Sequence, residues 1–254
     1  MYIIVEKRNG IATLKLHRPD AMNALNQQLV EELDYHVEAI GKDQEIRAVI
    51  LTGEKNFAAG ADIKAMVDLD VRGAETFAFS HTFKKIYNLE IPTIAAIEGY
   101  ALGGGLELAV TCDLRIASSN AKLGFPETGL GIMPGAGGTI LAPMLLGVSK
   151  AMEMILLGSI VGADEAYRIG LINKMVEPGQ AYSEAVNWAN KFVDGAPVAL
   201  QMAKKTIRRG LESGSYEKGL EIEKRNWTQL FQTRDQKEGM IAFLEKRKPE
   251  YKGK

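Results

Sequence analysis

Short runs of apolar and β-branched residues alternate with helical patterns along most of this chain, and that alternation constrains the fold more than any other feature. Residues 48–52 (Ala-Val-Ile-Leu-Thr) and 93–97 (Thr-Ile-Ala-Ala-Ile) are continuous apolar runs, a pattern typical of strands that are covered on both faces. A further strand is predicted at residues 114–117, and helical spacing predicts helices over 29–40 and 71–88. The alternation indicates an α/β fold with mostly parallel strand pairing.

The C-terminal part of the chain changes to a wholly helical pattern, with helices predicted over residues 198–209, 216–231 and 233–246. This shift places a domain boundary between a core at 1–196 and a helical region at 197–254. The last two helices carry large apolar side chains, namely Trp227, Leu230, Phe231, Met240, Ile241, Phe243 and Leu244. Because this segment is too short to bury all of these side chains by itself, they must pack on the core or on another subunit.

The charge balance and the scarcity of cysteine and histidine exclude several kinds of partner and site. The 254 residues include 31 basic and 32 acidic side chains, so neither nucleic acid nor a membrane is an expected partner. The sequence shows no signal peptide, which predicts a cytoplasmic protein. The single cysteine, Cys112, excludes an internal disulfide and is expected to be a buried small hydrophobe. The scattered histidines, His17, His36 and His81, offer no metal site, so acid–base chemistry falls to carboxylates.

A run of three glycines at residues 103–105 opens an apolar helix predicted over 106–110. The N-terminus of a helix presents unpaired N–H groups and a partial positive charge. Glu107 lies about one turn into this helix, and its side chain tilts back toward the N-terminus. An anion-stabilising amide and a carboxylate would then share one cavity, although a close-packed turn with a dipole-complementing glutamate fits the same residues.

Two further glycine-containing segments lie where an α/β sheet usually places a ligand. Residues 56–64 (Asn-Phe-Ala-Ala-Gly-Ala-Asp-Ile-Lys) follow the predicted strand at 48–52, at its carboxyl end. Residues 131–139 form a glycine-rich loop just after Glu127. This loop does not match the dinucleotide fingerprint, because Ile140 occupies the last glycine position, and the sequence holds no phosphate-binding loop.

Taken together, these segments resemble the crotonase, or enoyl-coenzyme A (enoyl-CoA) hydratase, family over nearly the whole chain. The matching motifs, in chain order, are His17-Arg-Pro-x-Ala-x-Asn-Ala-Leu25, Phe57-Ala-Ala-Gly-Ala-Asp-Ile-Lys64, Gly99-Tyr-Ala-Leu-Gly-Gly-Gly-x-Glu-Leu108, Pro126-Glu127, Pro134-Gly-Ala-Gly-Gly-Thr139 and Glu238-Gly-Met-x-Ala-Phe-x-Glu-Lys-Arg-Lys248. The resemblance implies a crotonase-like α/β spiral of ββα units as the core. It also implies a C-terminal helical region that builds trimers, two of which commonly stack as a hexamer.

The same resemblance implies which groups bind the substrate, an acyl-CoA thioester. The backbone N–H groups of Ala61 and Gly104 match the oxyanion hole, which holds the thioester carbonyl oxygen. The residues that match coenzyme-binding positions are Ala59, Ala61, Asp62, Ile63, Lys64 and Gly104 in the core, and Phe243 and Lys246 in the C-terminal region. In relatives, positions like these last two can reach a coenzyme A bound mainly by a neighbouring subunit. No metal or separate cofactor is implied, because coenzyme A is part of the substrate.

Two glutamates, Glu107 and Glu127, match the pattern of hydratases, and their chemistry suits the addition of water to an enoyl thioester. One carboxylate holds and deprotonates the water while a protonated partner gives a proton to C2. We predict that Glu107 is the base and Glu127 the acid, although coupled carboxyl groups leave this assignment open from sequence. The predicted reaction is reversible syn hydration of trans-2-enoyl-CoA to 3-hydroxyacyl-CoA, in fatty-acid β-oxidation or related acyl-CoA catabolism.

Other functions stay open at this point. Hydratases of branched substrates such as methylglutaconyl-CoA keep the same two carboxylates, and enoyl-CoA isomerases share the oxyanion hole. A non-catalytic acyl-CoA binder is a further alternative, and the presence of Gly104, Glu107 and Glu127 argues against it. The chain also departs from common family members at residues 139–142, where Gln-Arg-Leu usually follows the threonine. This departure leaves the shape of the acyl pocket open.

Overall fold

A computed structural model of the chain describes residues 1–77 and 79–254, which contain two β-sheets. The strands are β1 (Ile3–Arg8), β2 (Ile11–Leu16), β3 (Ala48–Thr52), β4 (Thr93–Ile97), β5 (Tyr100–Leu102), β6 (Leu114–Ser118), β7 (Lys122–Gly124), β8 (Ile160–Gly162) and β9 (Lys174–Val176). The main sheet has the order β1-β2-β3-β4-β6-β9, and the second has the order β5-β7-β8. In the main sheet β1 pairs antiparallel with β2 and the other pairs are parallel, as predicted.

Helices cover both faces of the main sheet and form the C-terminal part of the chain. They are α1 (Gln27–Gly41), α2 (Ile63–Met66), α3 (Val71–Phe77), α4 (Ser80–Asn88), α5 (Gly104–Thr111), α6 (Gly138–Leu146), α7 (Val148–Leu156), α8 (Ala163–Arg168), α9 (Ala181–Val193), α10 (Pro197–Glu212), α11 (Tyr216–Leu230) and α12 (Arg234–Leu244). Short 3-10 helices occur at Pro19–Ala21 and Glu127–Leu130. Within the described residues, none of these helices combines the length and apolar character needed to cross a membrane.

Strands β3 and β4 occupy the residues predicted for them, and every residue in both is buried. Successive side chains of a strand point to opposite faces. Val49 and Leu51 accordingly join the larger apolar cluster, with α1, α4 and α5, while Ala48 and Ile50 join the cluster formed with α9. This two-sided burial explains why the sequence shows continuous apolar runs there instead of alternation. Cys112 lies in the larger cluster, as predicted, and burial raises the pKa of its thiol to about 12.

The prediction of one helix over residues 71–88 is wrong, because this stretch contains two helices, α3 and α4. Residue 78, which the prediction also covers, lies outside the described residues. Phe79 is buried in a turn, and its ring packs 4.8 Å from that of Phe77 and 6.1 Å from that of Phe83. Phe79 and Phe83 lie four residues apart, which is helical spacing, so periodicity gives no sign of the break.

The three predicted C-terminal helices are confirmed as α10, α11 and α12. Helix α10 is tied to the core through Asp113, whose carboxylate lies 2.7 Å from the Lys204 ammonium and 2.6 Å from the Arg208 guanidinium. Helix α11 packs on α10. Large apolar side chains of α11 and α12 stay exposed, and Trp227 and Phe243 are 59% and 83% accessible. The division at 196/197 stays a prediction, since α10 is bound to both parts.

Candidate active site

Helix α5 begins at a backbone position that only glycine adopts readily. Gly103, just before the helix, has φ 49° and ψ −125°, and its N–H donates to the Gly124 carbonyl oxygen at 2.9 Å. A Cβ at Gly105 would lie 2.2 Å from the carbonyl oxygen of Ala58. The glycine run therefore lets the segment that carries Ala58 press directly against the start of α5.

The two amides predicted to form an oxyanion hole lie side by side at this junction. A Cβ built on Gly104 would be 3.6 Å from the backbone nitrogen of Ala61. Gly104 is the first residue of α5, so its N–H has no partner within the helix. Among the described residues, neither N–H donates to a backbone or side-chain acceptor. Two free donors at the positive end of a helix are suited to hold an oxygen that gains negative charge.

Glu107 is buried in the first turn of α5 and is held by the glycine-rich loop. Its side chain is almost fully enclosed, with 3% of the residue accessible. One carboxylate oxygen, Oε1, accepts hydrogen bonds from the N–H groups of Ala136 at 2.7 Å and Gly138 at 2.8 Å. Burial raises the pKa of Glu107, and the loop amides, which favour the charged form, oppose that rise. The carboxylate is thus fixed in orientation with Oε2 left for another partner.

Glu127 opens the 3-10 helix Glu127–Leu130 and faces the same junction. A Cβ built on Gly103 would be 3.1 Å from its Oε1, so the carboxyl group lies against the glycine turn. Both carboxyl oxygens are buried and have no hydrogen-bond donor among the described residues. Burial raises the pKa of Glu127 to about 7, and the charge of Glu107 adds to the rise. Near neutral pH this group therefore holds a proton in a large fraction of molecules.

The predicted coenzyme-binding residues lie beyond Ala61 on the loop and on the short helix α2. The N–H of Ala59 donates to the Met22 carbonyl oxygen at 3.1 Å, which fixes the backbone there. Asp62 caps α2 and pairs with Arg18, whose hydrogen bond lowers the pKa of that carboxyl group. Ile63 and Lys64 are exposed on α2.

Phe243 and Lys246 lie elsewhere, at the end of α12 and just after it. Both are exposed, and Lys246 has a left-handed backbone with φ 55°. Their position on the protomer surface leaves them free to meet a neighbouring subunit. Their contact with coenzyme A stays a prediction.

The residues that hold Glu107 were not identified from the sequence. The loop at 131–139 was recognised as glycine-rich, but nothing linked it to a carboxylate some thirty residues earlier. The unusual residues after Thr139 lie on α6, where Ala142 is buried, Leu141 is half-buried and Ile140 is 66% accessible. The replacement of the usual polar pair therefore leaves an apolar surface next to the site. No cluster of three or more metal-ligand side chains is found among residues 1–77 and 79–254.

We expect the Glu127→Gln variant to be more stable than the parent protein at alkaline pH. The pKa of Glu127 is about 7 in the folded protein and 4.5 for the free side chain. The stability that the protonated carboxyl group contributes is therefore fully present below about pH 4.5 and is lost as the pH rises through 7. Above about pH 7 the ionised carboxylate therefore lowers the free energy of unfolding by about 3 kcal/mol. Thermal melting of both proteins at about pH 5 and about pH 8 checks this, because the advantage of the variant must grow with pH. A difference in melting temperature between the two proteins that is the same at both pH values would contradict this prediction.

The chain is similar to known proteins along nearly its whole length. The sequence profile of the family described as enoyl-CoA hydratase/isomerase matches residues 6–254. A short-chain-enoyl-CoA hydratase from Clostridium acetobutylicum is 45% identical over 98% of this chain and 96% of its own length. A crotonyl-CoA hydratase from Syntrophomonas wolfei is 42% identical over 98% and 97% of the two chains.

Solved structures agree with the sequence comparison. The crystal structure of an enoyl-CoA hydratase from Bacillus anthracis superimposes with a TM-score of 0.96 at 38% identity and covers 100% of both chains. Sequence and structure therefore match along nearly the whole chain, and both match proteins of one kind. The protein belongs to the enoyl-CoA hydratase/isomerase family and has its crotonase-like α/β fold with a helical C-terminal part.

Proposed function

We propose that the protein is an enoyl-CoA hydratase that adds water reversibly to trans-2-enoyl-CoA and releases 3-hydroxyacyl-CoA. The observation that carries the proposal is the pair of buried glutamates beside two free amides. Glu107 is held by the loop amides, while Glu127 has no hydrogen-bond donor among the described residues and a pKa raised to about 7. Membership of the family and the names of the similar proteins support the same reaction.

The free amides of Ala61 and Gly104 would receive the thioester carbonyl oxygen. Attack at C3 moves electrons onto that oxygen, so the negative charge of the enolate develops where both N–H groups point. Losing one preorganised donor of this kind typically slows turnover about 100- to 1000-fold. The partial positive charge at the start of α5 adds to the stabilisation.

The two carboxyl groups then move the protons. Glu107, oriented through Oε1, holds the water with its other oxygen and takes one proton as the hydroxyl bonds to C3. Glu127 gives its proton to C2 of the enolate. With both groups on one side of the bound enoyl group, the addition would be syn. At the end of the turnover the proton has moved from Glu127 to Glu107, and the pair must exchange it before the next.

Coenzyme A needs a surface leading away from the amides. We assign this surface to the backbone of Ala59, Ala61 and Asp62 and to α2, which carries Ile63 and Lys64. The backbone of Gly104 lies at its inner end. Phe243 and Lys246 of a neighbouring subunit would complete it. The exposure of α2 and of the end of α12 supports this assignment.

The choice of acyl chain is tested with a panel of substrates. We expect crotonyl-CoA to lose its conjugated enoyl-thioester absorbance rapidly in the presence of the protein, with longer and branched enoyl chains slower. A methylglutaconyl-CoA rate well above the crotonyl-CoA rate would favour the branched-chain alternative. An isomerase would move the double bond without adding water, and a binder would leave the absorbance unchanged while still binding the ligand.

We further propose cytoplasmic fatty-acid β-oxidation, or related acyl-CoA catabolism, as the setting. The two bacterial relatives named for short-chain substrates support it. No cofactor is required by the reaction, since every bond change uses water and the thioester itself.

We also propose that the protein assembles as a trimer, or as a dimer of trimers, through α11 and α12. Exposed large apolar side chains lie on these helices and at the end of α11, namely Trp227, Phe231, Met240, Ile241, Phe243 and Leu244. The rings of Trp227 and Phe231 lie 4.7 Å apart in an edge contact, so they form one apolar surface. A second copy of the chain is the occupant that the family resemblance implies.

We expect Trp227→Glu to lower the mass of the particle. An unpaired charge buried in a subunit interface destabilises the assembly by several kcal/mol, which is on the order of the free energy that holds two subunits together. Sedimentation should show trimers or hexamers for the parent protein and smaller species for the variant. Arg225→Glu, two residues away and so on the other side of α11, is the matched control and should not change the mass. Equal masses for all three proteins would place the interface elsewhere.

A further inference from the structure

The direction of the Ala61 amide depends on a short two-stranded contact with the segment that ends at Leu25. The N–H of Leu25 donates to the Gly60 carbonyl oxygen at 2.8 Å, and the N–H of Asp62 donates to the Leu25 carbonyl oxygen at 2.8 Å. These bonds flank Ala61 on both sides, so its own N–H points away from Leu25 and stays free. A displacement of either strand would turn that N–H.

One guanidinium group ties the two strands together at this point. Arg18 donates through Nη1 to the Ala24 carbonyl oxygen at 2.9 Å, next to Leu25. Its Nη2 lies 2.7 Å from Oδ2 of Asp62, next to Ala61 on the other strand. Both side chains are mostly buried, with 22% and 15% accessible. The other oxygen of Asp62 accepts the N–H of Lys64 and so starts α2. Both carboxylate oxygens of Asp62 therefore already have protein donors.

We infer that Arg18 and Asp62 are positioning residues, which hold the Ala61 amide in the direction that an oxyanion requires. The inference rests on the proposed function, because it concerns the alignment of a donor used in that reaction. It differs from the role that the family resemblance implies for Asp62, which is contact with the coenzyme. A planar guanidinium can bond to a carbonyl and a carboxylate at once, whereas lysine offers a single point charge.

Asn23 holds the other end of the same loop. Its side-chain amide donates to the carbonyl oxygens of Asn56 at 2.7 Å and Phe57 at 3.2 Å. It is buried and has a left-handed backbone with φ 57°, so its replacement would disturb the fold as well as the loop. Arg18 and Asp62 therefore give the cleaner test.

The test compares turnover and substrate binding in Arg18→Ala, Asp62→Ala and the double variant. Misaligning one donor should lower kcat about 10- to 100-fold while KM for crotonyl-CoA changes little. The double variant should lose no more kcat than the more impaired of the two single variants, because the two side chains act through each other. Asp62→Asn keeps an oxygen for the Lys64 N–H and should retain intermediate activity. The control is Asp34→Ala, which removes an ion pair of equal length, 2.7 Å to Lys85, between α1 and α4 and should keep kcat.

A second measurement does not depend on hydration. Butyryl-CoA has no double bond to hydrate, and the carbonyl stretch of its thioester reports the strength of the hydrogen bonds that it accepts. We expect binding to the parent protein to lower that frequency and the Arg18 and Asp62 variants to lower it less. If the parent protein failed to hydrate enoyl-CoA but showed this pattern, the proposed function would fail and the positioning role would stand.

Three results would overturn the inference. One is a raised KM with unchanged kcat, which would make these residues coenzyme contacts. Another is multiplicative losses in the double variant. The third is a carbonyl frequency of bound butyryl-CoA that is the same in Asp62→Asn as in the parent protein. This measurement applies even if the alanine variants do not fold.

Discussion

Replacing Glu107 or Glu127 by glutamine is expected to lower kcat by about 1000-fold or more, since proton transfer by one positioned group contributes about 100- to 10,000-fold. Glutamine keeps the shape of the side chain but neither takes a proton from water nor gives one to C2. The loss should appear in the initial rate of absorbance decrease with crotonyl-CoA. Coenzyme A binding, measured by calorimetry, should be nearly unchanged.

A glutamate outside the site provides the control for this prediction. Glu32, like Glu107, accepts two backbone N–H groups, those of Tyr2 at 2.6 Å and Ile3 at 3.0 Å. The Glu32→Gln variant should turn over at the parental rate. Near-normal rates in both Glu107→Gln and Glu127→Gln would remove the two-carboxylate mechanism. A loss in Glu127→Gln alone would mean that the loop-held Glu107 only orients water.

Gly104→Ala is expected to lower kcat about 100-fold, although the protein should fold normally. The added Cβ would meet Leu25 at 3.5 Å and the Ala61 nitrogen at 3.6 Å, which are ordinary contact distances. The methyl group would nevertheless stand between the two N–H donors, where the thioester oxygen must enter. Melting temperature and kcat measured on the same preparation separate the two effects.

A glycine far from the site provides the control for the change from glycine to alanine. Gly210 lies on α10, and a Cβ there would meet no atom within 4 Å. Gly210→Ala should therefore keep kcat and raise helix stability slightly. If Gly104→Ala kept full activity as well, the space between the two amides would not be the oxyanion hole.

Local patterns revealed three adjacent strands of the main sheet, β3, β4 and β6, and the helix that carries Glu107. Strands β3 and β4 were predicted residue by residue, because burial on both faces requires continuous apolar side chains. Helix α5 followed from glycines and an apolar run. The break between α3 and α4 was missed, because Phe79 and Phe83 keep a helical spacing of four residues across the start of α4.

The site itself was only partly visible in the sequence. Glu107 stood out through its place after the glycines, but its approach to Glu127 was implied by the family resemblance. The amides of Ala136 and Gly138 that orient Glu107 are some thirty residues away and carry no side-chain signal. Likewise, the contact between Arg18 and Asp62 joins residues far apart in the chain. Such contacts depend on how the loops fold back on the sheet, which local periodicity does not describe.

Hydration itself is tested by incubating the parent protein with crotonyl-CoA and identifying the product by mass spectrometry and chiral chromatography. We expect a single 3-hydroxybutyryl-CoA enantiomer, heavier than the substrate by one water, formed as the enoyl absorbance disappears. Recovery of unchanged crotonyl-CoA, or of an isomer of equal mass, from protein that binds the substrate would contradict it.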